Sequence, residues 1–141
     1  MSGLTFRKRA EPDQRIDLSA LIPSRLAGLT IAQIASLPVG TTRWLVTVGD
    51  LFDVSGDDPE RLRFEGGSLR FDRIGEGLDG GEIHVEGDAG WRTGRVMSAG
   101  RLTVTGSAGG FAGSAMSGGE LHIEGDAGEF LGGPLAGALN T

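Results

Sequence analysis

The chain contains no cysteine among its 141 residues. That excludes disulfide staples, thiolate metal sites and cysteine nucleophiles. It also lacks any run of about 18 apolar residues, so no membrane-crossing helix is expected. Arg7, Lys8 and Arg9 are followed by no apolar stretch, so residues 1–10 do not read as a secretory signal. Cations are scarce after the first third. Residues 1–43 hold six Arg/Lys against three Asp/Glu and residues 44–141 hold seven against sixteen, giving net charges of +3 and −9. An acidic body lacks the basic surface that displaces counterions from nucleic acid, and neither nucleic acid nor membrane is expected as a partner. The basic segment reads as a solvated, partly flexible terminus.

Glycine is what the chain has in excess, at 26 residues, against a usual share of about 7 %. Eighteen of these fall in residues 77–141. Ordering so much glycine is entropically costly, so the chain either stays a flexible linker or needs many left-handed turns and close backbone approaches. Ahead of the glycine-rich part, Thr30 is placed to cap a short helix from Ile31 to Leu37, stopped by Pro38. Residues Arg43 to Val48 read as a strand. Leu62-Arg63-Phe64 and Leu69-Arg70-Phe71 alternate with period two and read as further short strands.

A 19-residue repeat decides between linker and fold. Leu78, Met97, Met116 and Leu135 are spaced by 19, as are Ile83/Leu102/Leu121, Val85/Val104/Ile123 and Ala89/Ala108/Ala127. The glycines keep the same register as G-x-x-G-x-x-x-G: Gly87, Gly90, Gly94; Gly106, Gly109, Gly113; Gly125, Gly128, Gly132. A fixed short period marks a stacked solenoid. Nineteen residues at about 3.3 Å each trace a loop of roughly 60 Å, too short for a strand plus a helix and suited to one coil of a β-helix. The expected architecture is mainly β: a β-helix of 19-residue coils over 44–141, preceded by an arm with a short helix over 1–43. The apolar columns would face inward and the repeat glycines would serve turns and coil contacts.

Outward columns alternate in character. Glu82/Arg101/Glu120 would set Arg101 between two carboxylates. Glu86/Thr105/Glu124 and Asp88/Ser107/Asp126 separate like charges by a neutral residue. His84 and His122, the only histidines, share a column with Thr103 between them. Two strand spacings hold them about 9.6 Å apart, too far to share one ion whose Zn–N bonds are about 2 Å. No metal site is expected. The repeat carries neither a dinucleotide fingerprint, which needs a following helix, nor the Gly-Lys-Ser/Thr of a phosphate loop. No catalytic constellation emerges. Phe111 and Phe130, with Arg92 one repeat earlier, form a column suited to a docking edge or to a corner cap.

The repeats, together with Gly49-Asp50-Leu51-Phe52-Asp53-Val54-Ser55-Gly56 and Ile74-Gly75-Glu76-Gly77-Leu78-Asp79-Gly80-Gly81, closely resemble the C subunit of formylmethanofuran dehydrogenase and that of the formyltransferase/hydrolase complex of methylotrophs. The glycine repeat is also similar to the carboxy-terminal domain of the glutamate synthase large chain, which leaves an amidotransferase domain, or a stand-alone binding solenoid, as other readings. The resemblance covers residues 17 to the end. It implies a right-handed β-helix without its own active site, a non-catalytic subunit of a cytoplasmic one-carbon enzyme complex. The implied partners are amidohydrolase-like, molybdopterin-type and formyltransferase subunits. The implied cofactors belong to the complex and not to this chain: a methanofuran-type carrier, tetrahydromethanopterin, and a molybdenum or tungsten pterin in archaeal relatives. Members run to about twice this length. Ending at Thr141 inside a repeat begun at Leu135 is expected to leave an open strand edge, so the chain is a fragment, a short form, or one whose edge a partner covers.

Overall fold

The structure, a computed structural model, describes residues 3–42, 45–125 and 139–140. It is mainly β with few helices. In chain order the elements are β1 (Gly3–Lys8), β2 (Ile16–Asp17), α1 (Pro23–Leu26), α2 (Ile31–Ala35), α3 (Val48–Leu51), β3 (Phe52–Ser55), β4 (Asp58–Glu65), β5 (Phe71–Asp72), β6 (Asp79–Glu86), β7 (Ala99–Val104), β8 (Glu120–Ile123) and β9 (Leu139–Asn140). A mixed seven-stranded sheet runs β3-β1-β4-β6-β7-β8-β9, and β2 pairs with β5 in a second, two-stranded sheet. Only the β1–β3 pairing in the large sheet is antiparallel.

The repeat sets the register. Ile83 pairs with Leu102 and Leu102 with Leu121, while Val85 pairs with Val104 and Val104 with Ile123. All six are buried. The ladders extend further toward the amino end than the 19-residue period indicates. Leu4 and Leu62 continue the first, Phe6 and Phe64 the second. The step from Leu62 to Ile83 is 21 residues, which is why this unit falls outside the repeat. Its ladder ends in a ring cluster: Phe6 stacks on Phe64 at 4.9 Å, and Phe52 meets both edge-on at 6.0 and 5.7 Å.

Away from the sheet the repeats hydrogen-bond to one another in turn. Arg92 N–H donates to Gly110 O, Gly94 N–H to Ile74 O, Val96 N–H to Ser114 O, and Gly113 N–H to Thr93 O. Ala89 bridges Ala108 in parallel. Leu78, Met97 and Met116 are buried, and so is a further column in the same 19-residue register, Ile74, Thr93 and Ala112. Thr93 satisfies its hydroxyl locally, donating to Gly90 O at 3.1 Å, as a buried polar group must. Ala127 and Leu135 lie outside the described residues.

Three local expectations change. The basic terminus is not a loose arm. β1 lies inside the sheet between β3 and β4, and its cations meet this chain's own acids: Arg7 with Glu65 at 2.9 Å, Lys8 with Glu11, and Arg9 with Asp53 at 3.7 Å. Hydrogen bonds from Lys8 and then Ser68 hold the Glu11 carboxyl below its ordinary pKa. The strand expected over 43–48 does not form among the described residues 45–48. Arg43 and Trp44 lie outside the described residues, Leu45 is 90 % exposed, and Thr47 makes only a bridge to Pro38. Val48 instead opens α3, because Asp50 Oδ2 accepts from Thr47 N–H at 2.9 Å and supplies helix-start chemistry that outweighs the β preference of valine. In Leu69-Arg70-Phe71 the first two residues form a turn, since Ser68 Oγ accepts from Arg70 N–H at 3.0 Å. The pattern at Thr30 behaves as expected. Its side chain accepts from Gln33 N–H at 3.1 Å while Gln33 Oε1 accepts from Thr30 N–H at 2.8 Å, and α2 ends at Ala35 with Ser36 as its cap.

Candidate functional site

Two surfaces carry the side chains with chemistry to offer. The first is the outer face of the large sheet. Arg61, Glu82, Arg101 and Glu120 form one column of paired residues, and Arg63, His84, Thr103 and His122 the next. Arg101 Nε donates to Glu120 at 3.0 Å. Among the described residues no ion pair joins Arg101 to Glu82, so the expected three-charge bridge is a two-charge one. Arg63 also pairs with Glu86. His122 Nε2 lies 3.3 Å from the same Glu120 carboxylate. Hydrogen bonds from His122 and then Arg101 hold that carboxyl below its ordinary pKa. His84 and His122 sit two strands apart with Thr103 between, as their spacing predicts. Among the described residues no three His, Asp or Glu side chains are grouped to hold a metal ion.

The second surface is the strip of turns formed by residues 69–77, 91–96 and 110–115. Here the repeat glycines take up two different tasks. Gly94 and Gly113 have φ of +71° and +69°, in the left-handed region that favours glycine. Gly90 is needed for space: a Cβ there would lie 2.3 Å from Asp72 Oδ1 and 2.7 Å from Leu69 O. Gly87, Gly106, Gly109 and Gly125 likewise sit against the preceding repeat, with Gly106 stacked on Gly87 and Gly125 on Gly106. Gly128 and Gly132 lie outside the described residues.

Asp72 is the hub of this strip. Arg15 donates to both its oxygens, at 2.6 and 2.7 Å, and to Leu69 O at 2.8 Å. Trp91 N–H donates to Asp72 Oδ1 at 2.9 Å. The Arg15 guanidinium then lies over the Trp91 ring at 4.7 Å. The two-toothed geometry is one that arginine, and not lysine, can make. One repeat on, the Arg92 guanidinium lies over the Phe111 ring at 5.9 Å; Phe130, expected in that column, is outside the described residues.

Sequence reasoning missed which residues turn left-handed here. Arg73, Arg92 and Phe111 have φ of 62°, 59° and 64°, and Val96 and Ala115 have 50° and 55°. The period held the signal: Gly77, with φ of +74°, is one repeat before Val96. Left-handed backbone costs an L residue roughly 1–2 kcal/mol.

No family model matches the chain. Over 88 residues, 62 % of the chain, it is 48 % identical to the C subunit of the formyltransferase/hydrolase complex Fhc of Methylorubrum extorquens, of which it covers 33 %. Over 99 residues it is 33 % identical to the C subunit of the tungsten-containing formylmethanofuran dehydrogenase 2 of Methanothermobacter wolfeii, covering 37 % of that protein. Its structure is similar, with a TM-score of 0.84 and 47 % identity, to a chain in the crystal structure of the formyltransferase/hydrolase complex FhcABCD of Methylorubrum extorquens with methylofuran; the match spans 88 % of this chain and 47 % of that one. The chain thus spans about a third of the length of the curated relatives it matches. Over the part it shares with them, the chain is homologous to the C subunit of the formyltransferase/hydrolase complex and, at greater distance, to the C subunit of formylmethanofuran dehydrogenase.

Proposed function

We propose that this chain is a non-catalytic scaffold subunit of a cytoplasmic one-carbon complex of the formyltransferase/hydrolase type. In that reading the complex passes a formyl group between tetrahydromethanopterin and a methanofuran-type carrier, and the chemistry resides in amidohydrolase-like, molybdopterin-type and formyltransferase partners. The observation that carries it is the 47 % identical solved relative, itself a chain of a multi-subunit complex. The interior supports a scaffold: the inward columns are largely apolar, while Glu86, Glu120 and His122 on the outer face are engaged in surface pairs. A formylmethanofuran dehydrogenase complex is the second reading, favoured by identities of 31–34 % to such subunits.

The shape belonging to this reading is a right-handed β-helix over 44–141. Residues 1–43 act as its amino-terminal cap, because β1 continues both apolar ladders and α1 packs on β4 and β6. The repeat glycines, Gly87 to Gly132, serve turns and stacking and not catalysis. A tagged chain purified from its native host tests the proposal. The expected result is co-purification with homologues of the A, B and D subunits in one particle carrying formyl-transfer activity. A chain that elutes alone from that host would overturn it.

A further inference from the structure

Part of the surface pairs off its own charges. On the sheet face Arg7 meets Glu65, Arg63 meets Glu86 and Arg101 meets Glu120. On the turn strip the pairing is uneven. Arg15 is neutralised by Asp72 and Arg73 by Glu76, but among the described residues Arg92 and Arg95 form no ion pair. They leave a positive spot on a chain of net charge −6. Beside them stand the exposed apolar side chains Trp91 at 49 %, Val96 at 40 % and Phe111 at 39 %. Arg, Trp and Phe are the side chains enriched where interfaces bind most strongly.

Backbone geometry points to the same strip. Among the described residues all five non-glycine left-handed ones, Arg73, Arg92, Val96, Phe111 and Ala115, lie on it. A β-branched or bulky residue in that region is an outlier. Val96 and Phe111 gain little burial in return, and Gly77 in the Val96 column marks the residue that would sit there without strain. The stacking of repeats imposes this backbone, and bulky exposed side chains kept where glycine would sit without strain are a mark of function. The Arg92 guanidinium lies over the Phe111 ring at 5.9 Å, and a guanidinium beside a ring keeps N–H groups that can meet a planar carboxylate.

We infer that the strip formed by Trp91, Arg92, Arg95, Val96 and Phe111 is a docking face for a partner polypeptide. That partner presents carboxylates to Arg92 and Arg95 and an apolar side chain to Trp91 and Phe111. The inference rests on the scaffold reading above and adds the face through which the scaffold binds. Salt weakens the contact, since its charges sit at the surface.

The test uses the tagged chain in its native host, with Arg92→Glu and Arg95→Glu combined, and Arg25→Glu as a charge control elsewhere. Wild type and control retain the A, B and D homologues. The double variant keeps its thermal midpoint and retains at least about tenfold less of one of them, the scale expected when like charges are set against each other in an interface. Photo-crosslinking from position 111 reaches that same homologue, and crosslinking from position 103 on the sheet face does not. Val96→Gly relieves strain and raises the midpoint by about 2–3 °C; a fall instead would mean the side chain serves the fold, and would overturn the strain argument for the face. Undiminished retention by the double variant overturns the docking face alone. A wild-type chain that retains no homologue overturns the scaffold reading and the face with it. Self-association abolished by the double variant would assign the face to a second copy and overturn the partner named here.

Discussion

Gly90→Ala is expected to destabilise the protein by about 3–4 kcal/mol, at the upper end of overpacking and beyond an ordinary surface change. The reason is position and not conformation. A methyl at residue 90 would stand 2.3 Å from Asp72 Oδ1, 2.7 Å from Leu69 O and 2.9 Å from Phe71 O. Two of these atoms are backbone, so rotating a side chain cannot relieve them. The third is the carboxylate that holds Arg15 and receives Trp91 N–H, so moving it breaks the clamp tying the amino-terminal segment to the repeat. Gly80→Ala is the matched control. A Cβ there meets nothing within 4 Å, and the change should be neutral or stabilise by up to about 1 kcal/mol by restricting the unfolded chain. Urea unfolding of the two variants reads the difference directly. Equal midpoints would contradict the close approach of successive repeats at Gly90.

Phe64→Ala should cost about 3–5 kcal/mol, as deletion of a buried ring does where the site cannot collapse. Phe64 is wholly buried. It stacks on Phe6 and meets Phe52 edge-on, and it sits in the ladder between Phe6 and Val85. Its removal leaves a void where β1, β3 and β4 join, and parallel strands paired on both sides cannot close in to fill it. Leu69→Ala gives the contrast: Leu69 is 53 % exposed, and its loss should lie within about 0.5 kcal/mol. Calorimetry of both variants would check this. A Phe64→Ala loss below about 1 kcal/mol would show that β1 is not anchored by the ring cluster.

The repeat made the inward columns legible because a buried ladder needs the same residue type at the same step in every unit. Ile83, Leu102 and Leu121 could be aligned from spacing alone. What spacing hid was the unit before them. Leu62 and Phe64 stand 21 residues ahead of Ile83 and Val85, and the partner that extends them further, β1, comes from the far amino end. No local pattern announces a parallel partner from so distant a part of the chain. Arg43 to Val48 misled because Val46 and Val48 favour strands, whereas Asp50 caps a helix start at Thr47. On the strip, the columns showed where glycine recurs, but left-handed Arg92, Val96 and Phe111 were invisible. Those side chains do not favour such a backbone, and only the stacking of one repeat on the next forces it. The Arg15–Asp72–Trp91 clamp was hidden for the same reason as β1, since its members are 57 and 19 residues apart.

The scaffold account depends on successive repeats lying side by side in parallel, and the cysteine-free chain makes that simple to test. Thr103 and His122 are paired on adjacent strands, and His84 and His122 are two strands apart. Cysteines at 103 and 122 should oxidise to an intrachain disulfide, since neighbouring strands about 4.8 Å apart fall within disulfide reach. Cysteines at 84 and 122, about 9.6 Å apart, should stay reduced, lying beyond the limit of about 7 Å. Mass mapping of the two double variants after mild oxidation decides it. A bond in the first and not in the second is the result expected of the stack; a bond between 84 and 122, or none between 103 and 122, would contradict it.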